Sequence, residues 1–152
     1  IPFTRSSFLP VDCQSMMTPY TGRCHCGAVR YSCSSDPELT FYCHCQDCQR
    51  TTGGPFSVEL MVDAAGFELT GKLSSYVVTG DSGKPVTRWS CDKCGSGIYL
   101  EGEADPGYVF IKAGSLDDAS RVRPDMHIYV AAKQPWLAIA DDLPQFAYAP
   151  EE

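Results

Sequence analysis

Short runs of alternating apolar and polar residues are the main pattern along this chain. The run over residues 56–62 (Phe-Ser-Val-Glu-Leu-Met-Val) is typical, and such alternation indicates a β-strand with one buried face. Gly, Asp and Pro separate the runs at short, regular intervals. This spacing favours an all-β sandwich or a related antiparallel fold over βαβ units. Strands are predicted over residues 28–33, 39–42, 56–62, 67–70, 75–78, 86–90, 98–101, 108–113 and 127–130.

One short helical stretch is predicted over residues 46–51. The sequence Gly53-Gly54-Pro55 follows it and would end the helix. Residues three apart lie on the same side of a helical turn, so Cys45 and Cys48 would share a face there.

Length and composition indicate one globular domain. The chain has 152 residues, of which 43% are hydrophobic and 20% charged, values typical of a folded domain with a core. Residues 1–20 contain three prolines and several Ser and Thr, so we expect an extended arm there. The folded domain is predicted over residues 21–148, followed by a short tail over 149–152.

The charge balance narrows the class of partner. The formal net charge is −7, whereas nucleic acids and anionic membranes are bound by basic surfaces. No stretch approaches the roughly 20 apolar residues that span a bilayer, and the first twenty residues do not resemble a signal peptide. Nucleic acid and membrane are therefore not expected as partners, and no oligomeric state is predicted.

The cysteines are unusually concentrated. Of the nine cysteines, seven lie in three clusters: Cys24 and Cys26, then Cys43, Cys45 and Cys48, then Cys91 and Cys94. The spacings Cys-x-Cys and Cys-x-x-Cys are typical of metal knuckles or redox sites, not of a secreted disulfide framework. A reducing compartment is therefore expected, and the cytoplasm is the prediction. Of the remaining two, Cys33 is predicted to be a core residue, and Cys13 has no partner spacing.

Seven thiols divide naturally into four and three. Four thiolates form a closed structural zinc site, whereas three leave a position for water or substrate, as in catalytic zinc sites. Spacing alone allows three arrangements. In the first, the four-thiol site combines the first and third clusters. In the second, it combines Cys45 and Cys48 with the third cluster, as in a zinc ribbon. In the third, the protein holds a single structural zinc and the other thiols bind no metal.

Several motifs together resemble the glutathione-dependent formaldehyde-activating enzyme family, which includes the centromere protein V-like proteins. The resemblance extends from Thr21 to about Phe146. Its motifs are Gly-Arg-Cys-His-Cys-Gly at 22–27, Tyr-Cys-His-Cys-Gln-Asp-Cys-Gln-Arg at 42–50, Thr-Gly-Gly-Pro-Phe at 52–56, Cys-Asp-Lys-Cys-Gly at 91–95, Gly-Ser-Leu-Asp-Asp at 114–118 and His-Ile-Tyr at 127–129. The segment before Thr21 has no counterpart in that pattern.

The resemblance implies a single-domain, β-tent-like antiparallel fold held together by two zinc ions. It implies that Cys24, Cys26, Cys91 and Cys94 hold a structural zinc. It also implies that Cys43, Cys45 and Cys48 hold a catalytic zinc, a division that spacing leaves open.

The implied reaction is that of a carbon–sulfur lyase. The family joins glutathione to formaldehyde as S-hydroxymethylglutathione, and a zinc ion with three thiolates and one exchangeable ligand suits thiol or carbonyl substrates. Alternatives are an enzyme acting on a different small carbonyl compound or glutathione conjugate, and a binding module in which both zinc ions are structural. A redox or metal-storage protein is a further alternative.

A few other residues are candidates for function. His44, between two predicted ligands, is a candidate acid–base group or substrate contact. Arg50 is a candidate partner for a substrate carboxylate, and Gly53 and Gly54 would let a ligand approach the backbone closely. By contrast, Tyr129, Trp136 and His127 are predicted to pack in the core or behind the metal ligands.

Overall fold

The computed structural model describes residues 19–150. Over that range the protein is mainly β, with one short α-helix. The predicted arm over residues 1–20 lies almost entirely outside the described residues, as do Cys13 and residues 151–152 of the predicted tail.

The elements alternate with tight turns. The strands are β1 (Tyr20–Arg23), β2 (Arg30–Cys33), β3 (Leu39–Cys43), β4 (Ser57–Asp63), β5 (Phe67–Thr70), β6 (Leu73–Thr79), β7 (Pro85–Cys91), β8 (Gly97–Gly102), β9 (Tyr108–Lys112) and β10 (Met126–Ile128). The helix is α1 (Gln46–Thr52), and short 3-10 turns follow β4, β9 and β10.

Every predicted strand corresponds to an observed one, and the predicted helical stretch corresponds to α1. The prediction omitted β1, which has only four residues and includes a glycine. The last predicted strand was too long. It ends at Ile128 because Tyr129 adopts the left-handed conformation, with φ of 57°, which breaks the extended backbone.

The strands form two sheets. A three-stranded sheet has the order β1-β2-β5, and a seven-stranded sheet has the order β10-β3-β4-β9-β8-β7-β6. Within residues 19–150, β10 and β3 are the parallel pair and the other strand pairs are antiparallel. The chain after β10 runs back along this edge, where the Phe146 amide donates to the His127 carbonyl over 2.9 Å.

One face of the large sheet packs against the small sheet. Leu60 and Val62 in β4 pair with Ile111 and Val109 in β9, and cross-strand partners share a face. All four are buried in one cluster. Val29, Tyr31 and Cys33, in and next to β2 of the small sheet, belong to the same cluster. Cys33 is thus a core residue with no exposed surface, as predicted.

The other face of the large sheet carries a second apolar cluster. It contains Phe41, Cys43, Leu100, Phe110 and Ile128, together with Cys48 from α1. The opposite orientation of neighbouring residues along each strand separates the two clusters. The three-stranded sheet therefore leaves this second face to α1, to the chain after β10 and to the site described below.

Two aromatic predictions have different outcomes. Trp136 is 70% exposed, so its predicted core position was wrong; it lies in the irregular segment after β10, where no strand pairing turns it inward. His127 is buried, as predicted, and its ring stacks on Tyr42 with centroids 4.4 Å apart.

Among the described residues, none of the helices has the length and apolar character required to cross a membrane.

Gly22 in β1 lies directly opposite Tyr31 in β2 within the small sheet, and the two residues approach each other closely. A Cβ atom at this position would overlap the Tyr31 hydroxyl group. We expect Gly22→Ala to lower the free energy of unfolding by roughly 1–3 kcal/mol through overpacking, as measured by urea denaturation. The matched control is Gly114→Ala, whose added Cβ meets no heavy atom within 4 Å. Equal stability of the two variants would contradict the predicted close approach.

Candidate metal centre

Four cysteines from two distant parts of the chain meet in one group. The sulfur atoms of Cys24, Cys26, Cys91 and Cys94 all lie within 4.8 Å of one another. Cys24 follows β1 in the small sheet, and Cys91 ends β7 in the large sheet. The group therefore joins the two sheets directly.

The spacing of these sulfurs fits a tetrahedral metal site. With Zn–S distances near 2.3 Å, the sulfurs of such a site are about 3.8 Å apart. The sulfur of Cys26 lies 3.5 Å from that of Cys24 and 3.9 Å from that of Cys91. Backbone N–H groups of Val29 and Cys94 donate to the Cys24 and Cys91 sulfurs at 3.2 and 3.4 Å. The bond from Val29 lowers the pKa of Cys24 against the opposing effect of desolvation.

Three further cysteines form a second group. The sulfurs of Cys43, Cys45 and Cys48 also lie within 4.8 Å of one another. Cys43 ends β3, Cys45 is the N-cap of α1 and Cys48 lies in the helix. The Cys45 sulfur accepts the Cys48 amide at 3.3 Å, so the cap that starts the helix also sets the positions of two thiols. Both groups of cysteines can hold a metal ion.

Helix α1 is held at both ends. Gly53 closes it in the left-handed conformation, with φ of 76° and an N–H bond to the Gln49 carbonyl. The side-chain amide of Gln49 donates through Nε2 to the backbone carbonyls of His44 and Ala132, at 2.6 and 3.0 Å. These bonds anchor the helix to the chain after β10 and so fix Cys48 against the sheet.

The three thiols of this group differ in their pKa values. Hydrogen bonds with the Cys43 and Cys48 thiols, then the Cys48 amide and the charge of Arg88, lower the pKa of Cys45 despite its partial burial. The Cys45 thiol and burial raise the pKa of Cys43, and the Cys43 and Cys45 thiols raise that of Cys48. Cys45 is thus the thiol of the group that loses its proton most readily, and the thiolate is the form that binds metal.

The three-thiol group opens onto a cavity of about 650 Å³, which we call the sheet cavity. Its floor is the second face of the large sheet, and Cys43, Cys45 and Cys48 lie in its wall. A metal held by three sulfurs there would have an accessible side, which is the arrangement expected of a reactive site.

A buried ion pair lies beside Cys48. Lys112 donates to the Glu59 carboxylate at 2.6 Å and to the Ser57 hydroxyl at 2.8 Å. The side chains of Glu59 and Lys112 are only 3% and 11% exposed. The Cys48 thiol points at Glu59 Oε1 over 3.7 Å, which is long for a hydrogen bond even to sulfur. Lys112 thus neutralises the carboxylate nearest the thiol group.

Arg88 is the second cationic residue in this region. It lies on β7, lines the sheet cavity, and carries its charge close enough to affect Cys45. Its Nε and Nη1 atoms are buried and have no hydrogen-bond partner among the described residues. A buried guanidinium nitrogen without a partner is costly, and Arg88 is therefore a candidate partner for an anionic group bound in the cavity that it lines.

His44, which lies between Cys43 and Cys45 in the chain, contacts a second histidine, His127. His44, fully buried, lies 2.9 Å from His127 (Nε2 to Nδ1), and His127 Nε2 lies 3.0 Å from the Asp141 carboxylate. Burial, followed by the charges of His127 and Lys133, lowers the pKa of His44 to about 4. His44 is therefore neutral near pH 7, and its role as an acid–base group stays a prediction.

The predicted substrate contacts lie outside the sheet cavity. Arg50 is exposed in the last turn of α1, and Gly53 and Gly54 follow the helix. None of the three lines the sheet cavity, and their role as substrate contacts stays a prediction.

Sequence reasoning missed Glu59, Lys112, Arg88 and Asp141. One signal was available: Glu59 and Lys112 are charged residues inside otherwise apolar strand runs. A charge at such a position requires a partner when it is buried. Nothing in the local sequence of Arg88 or Asp141 indicates their neighbours, because these come from other strands.

A second, more polar cavity of about 730 Å³ lies on the other side of the Ser57–Lys112 contact. Arg23, Lys112 and several backbone segments line it, together with Cys24 of the four-thiol group. The three-thiol group does not line this cavity, so the sheet cavity is the better candidate for a reaction site.

Comparisons with known proteins agree with this arrangement. Residues 19–132 match the family model described as glutathione-dependent formaldehyde-activating enzyme. A Halomonas elongata protein, provisionally named as such an enzyme, is 28% identical over 124 residues, covering 78% of this chain and 79% of that protein. An Emericella nidulans protein with the same provisional name is 30% identical over 78 residues, covering 50% of this chain and 39% of that protein.

A solved structure shares the fold. The crystal structure of a Rhodobacter sphaeroides protein superposes with a TM-score of 0.50 at 21% sequence identity, covering 68% of this chain and 91% of that one. At this identity the likeness concerns the fold alone.

The Glu59–Lys112 pair gives a test of the site's electrostatics. Lys112→Met leaves the Glu59 carboxylate buried without its ion partner, and we expect a loss of roughly 3–5 kcal/mol in the free energy of unfolding. The double variant Lys112→Met/Glu59→Leu removes both charges and should regain most of that loss. Urea denaturation of the wild type, both single variants and the double variant measures the coupling. Additive effects would contradict the pairing.

Proposed function

Because the chain belongs to the family of glutathione-dependent formaldehyde-activating enzymes, we propose that it is a zinc-dependent carbon–sulfur lyase. It makes or breaks the adduct between a thiol and a carbonyl compound, with S-hydroxymethylglutathione as the lead. The observation that carries the proposal is the three-thiol group of Cys43, Cys45 and Cys48, which faces the sheet cavity.

The proposed metal content is two zinc ions in unlike sites. Cys24, Cys26, Cys91 and Cys94 hold a closed structural zinc, a role supported by sulfur spacings close to those of a tetrahedron. Cys43, Cys45 and Cys48 hold the second zinc. The free state of the eight described cysteines supports a reducing compartment such as the cytoplasm.

A zinc ion at the three-thiol group supplies a Lewis acid that lowers the pKa of a substrate thiol or polarises a carbonyl oxygen. In the forward step the thiol sulfur adds to the carbonyl carbon and a C–S bond forms. The C=O π electrons move to the oxygen, which takes up a proton as the thiol gives one up. The reverse step breaks the same C–S bond, and neither direction needs an oxidant or reductant.

The chain's own residues shape that step. Arg88 lines the sheet cavity, and its positive charge can stabilise negative charge that develops on the carbonyl oxygen. Lys112 holds Glu59 in an ion pair, which keeps that carboxylate from repelling the incoming thiolate. The buried positions of Cys43 and Cys48 limit access of water to the reacting groups.

Substrate contacts by Arg50, Gly53 and Gly54, and an acid–base role for His44, belong to the same proposal. They would apply to parts of the substrate that extend beyond the sheet cavity, because α1 forms one side of its mouth through Gln46 and Asp47.

Removal of one thiol separates catalysis from folding. We expect Cys48→Ser to reduce the zinc content from two ions to one per chain and to abolish turnover of glutathione with formaldehyde, while the fold persists. Metal analysis measures the zinc content, exchange NMR measures the turnover, and circular dichroism measures the fold. The matched control is Cys33→Ala, which removes a buried thiol outside both groups and should keep both zinc ions.

The outcomes distinguish the competing functions. Undiminished turnover by Cys48→Ser would contradict the proposed site. Two tightly held zinc ions in a wild-type protein that turns over no thiol adduct would instead favour a non-catalytic binding module.

The four-thiol group should respond differently. Cys91→Ser removes a buried sulfur from the group that joins the two sheets. Because structural zinc contributes directly to folding free energy, we expect loss of the cooperative thermal transition, not only of activity. A folded, zinc-depleted Cys91→Ser protein would contradict a structural role for this group.

A further inference from the structure

The sheet cavity is mostly apolar away from the thiols. Every second residue of each strand points to the same face of the sheet. Such residues from neighbouring strands form the floor and walls of the cavity. The apolar side chains that define it are Leu39, Phe41, Met61, Val86, Leu100 and Phe110.

The size of this cavity exceeds what a one-carbon aldehyde requires. At about 650 Å³ it falls within the range of roughly 300–1,000 Å³ that is typical of pockets for drug-sized ligands. Formaldehyde has two non-hydrogen atoms and would leave most of the apolar wall in contact with water. Apolar surface in a concave site is instead best matched by an apolar ligand.

The charges around the cavity also select against a highly polar occupant. Asp47, Asp81 and Asp105 are exposed lining residues at its rim, and they disfavour carboxylate groups placed inside the cavity, as opposed to groups that extend into solvent. Inside, Glu59 is already paired with Lys112. Arg88 is the basic residue among those that line the cavity, so the interior offers little to balance an occupant with several negative charges.

We propose that the carbonyl partner of the adduct carries an apolar body, either an alkyl chain of medium length or an aromatic ring, that fills the sheet cavity. This inference rests on the proposed function and names its substrate class. The reacting carbon lies at the three-thiol group, the apolar body lies over Leu100 and Phe110, and the polar thiol partner extends toward solvent. Such an aldehyde undergoes the same balanced addition as formaldehyde.

A series of S-alkylglutathiones tests the cavity without chemistry. S-methyl-, S-propyl- and S-hexylglutathione resemble adducts that differ only in the length of the alkyl group. If each added methylene is buried, affinity for the zinc-loaded protein should rise roughly fourfold per methylene at 25 °C. Isothermal titration calorimetry measures this rise, and an increasingly negative heat-capacity change should accompany it.

A turnover series tests the same inference kinetically. With glutathione as the thiol, we expect kcat/KM for hexanal and phenylacetaldehyde to exceed that for formaldehyde by at least tenfold, after subtraction of the protein-free reaction. Exchange NMR on the full chain measures all three aldehydes under one condition.

Filling the cavity should reverse the preference. Gly102 lines the cavity, and a Cβ there makes only an ordinary contact, 3.7 Å from a Val86 methyl group. Gly102→Leu should reduce the affinity for S-hexylglutathione at least tenfold and leave that for S-methylglutathione nearly unchanged. Val86→Phe is a second variant with the same expected result, in case the first does not fold. The control is Ser75→Leu, an exposed position outside the cavity, which should keep the wild-type preference.

The results separate this inference from the function on which it rests. Equal affinities across the S-alkyl series, together with turnover of formaldehyde in preference to the larger aldehydes, would overturn the inference and leave the proposed function standing. A two-zinc protein that binds none of the probes and turns over no aldehyde would overturn both. An unchanged preference in folded Gly102→Leu and Val86→Phe would also contradict the apolar occupant of this cavity.

Discussion

The meeting of four sulfur atoms from two separate sheets is the contact on which this structure depends. Cys24 and Cys26 belong to the turn after β1, whereas Cys91 ends β7 and Cys94 belongs to the turn that follows it. Thiols brought within 4.8 Å of one another suit a metal ion, because a tetrahedral site needs this spacing. The group fixes the small sheet on one face of the large sheet, and the other face is thereby left for the three-thiol site.

Because the small sheet covers one face of the large sheet, the two faces of the large sheet have different surroundings. One face packs Leu60, Val62, Val109 and Ile111 into the core. The other carries Phe41, Leu100 and Phe110 toward a cavity that the three-thiol group borders. Because side chains alternate along a strand, each strand serves both tasks at once. The consequence is a three-thiol group at the junction of β3 and α1, with an apolar cavity beside it.

Two charged groups on the second face differ in their surroundings. Glu59 forms an ion pair with Lys112, whereas Arg88 has no such partner among the described residues. A buried ion pair gives little net stability, but loss of one partner is expensive, so Glu59 and Lys112 depend on each other. Arg88 has buried nitrogens without a partner among the described residues, and it lines the same cavity as the three thiols.

Local features were predictable from the sequence. Alternation of apolar residues predicted the strands, and Gly53 and Gly54 predicted the end of the helix, since both signals depend on neighbouring residues. The strand β1 and the exposure of Trp136 were not predicted, because a four-residue strand and an irregular segment depend on what packs beside them. The left-handed Tyr129 likewise ended a run whose apolar pattern continues.

The sequence by itself determined which residues can hold metal, because Cys-x-Cys and Cys-x-x-Cys place two sulfurs together through covalent geometry alone. It did not determine which pairs come together: spacing left three arrangements open, and only the pairing of strands distant in the chain brought Cys24 and Cys26 to Cys91 and Cys94. The same holds for the sheet cavity. Its residues come from seven strands, from α1 and from the segments between and after them, all within residues 19–150, and only the tertiary packing of these elements decides that they face one space.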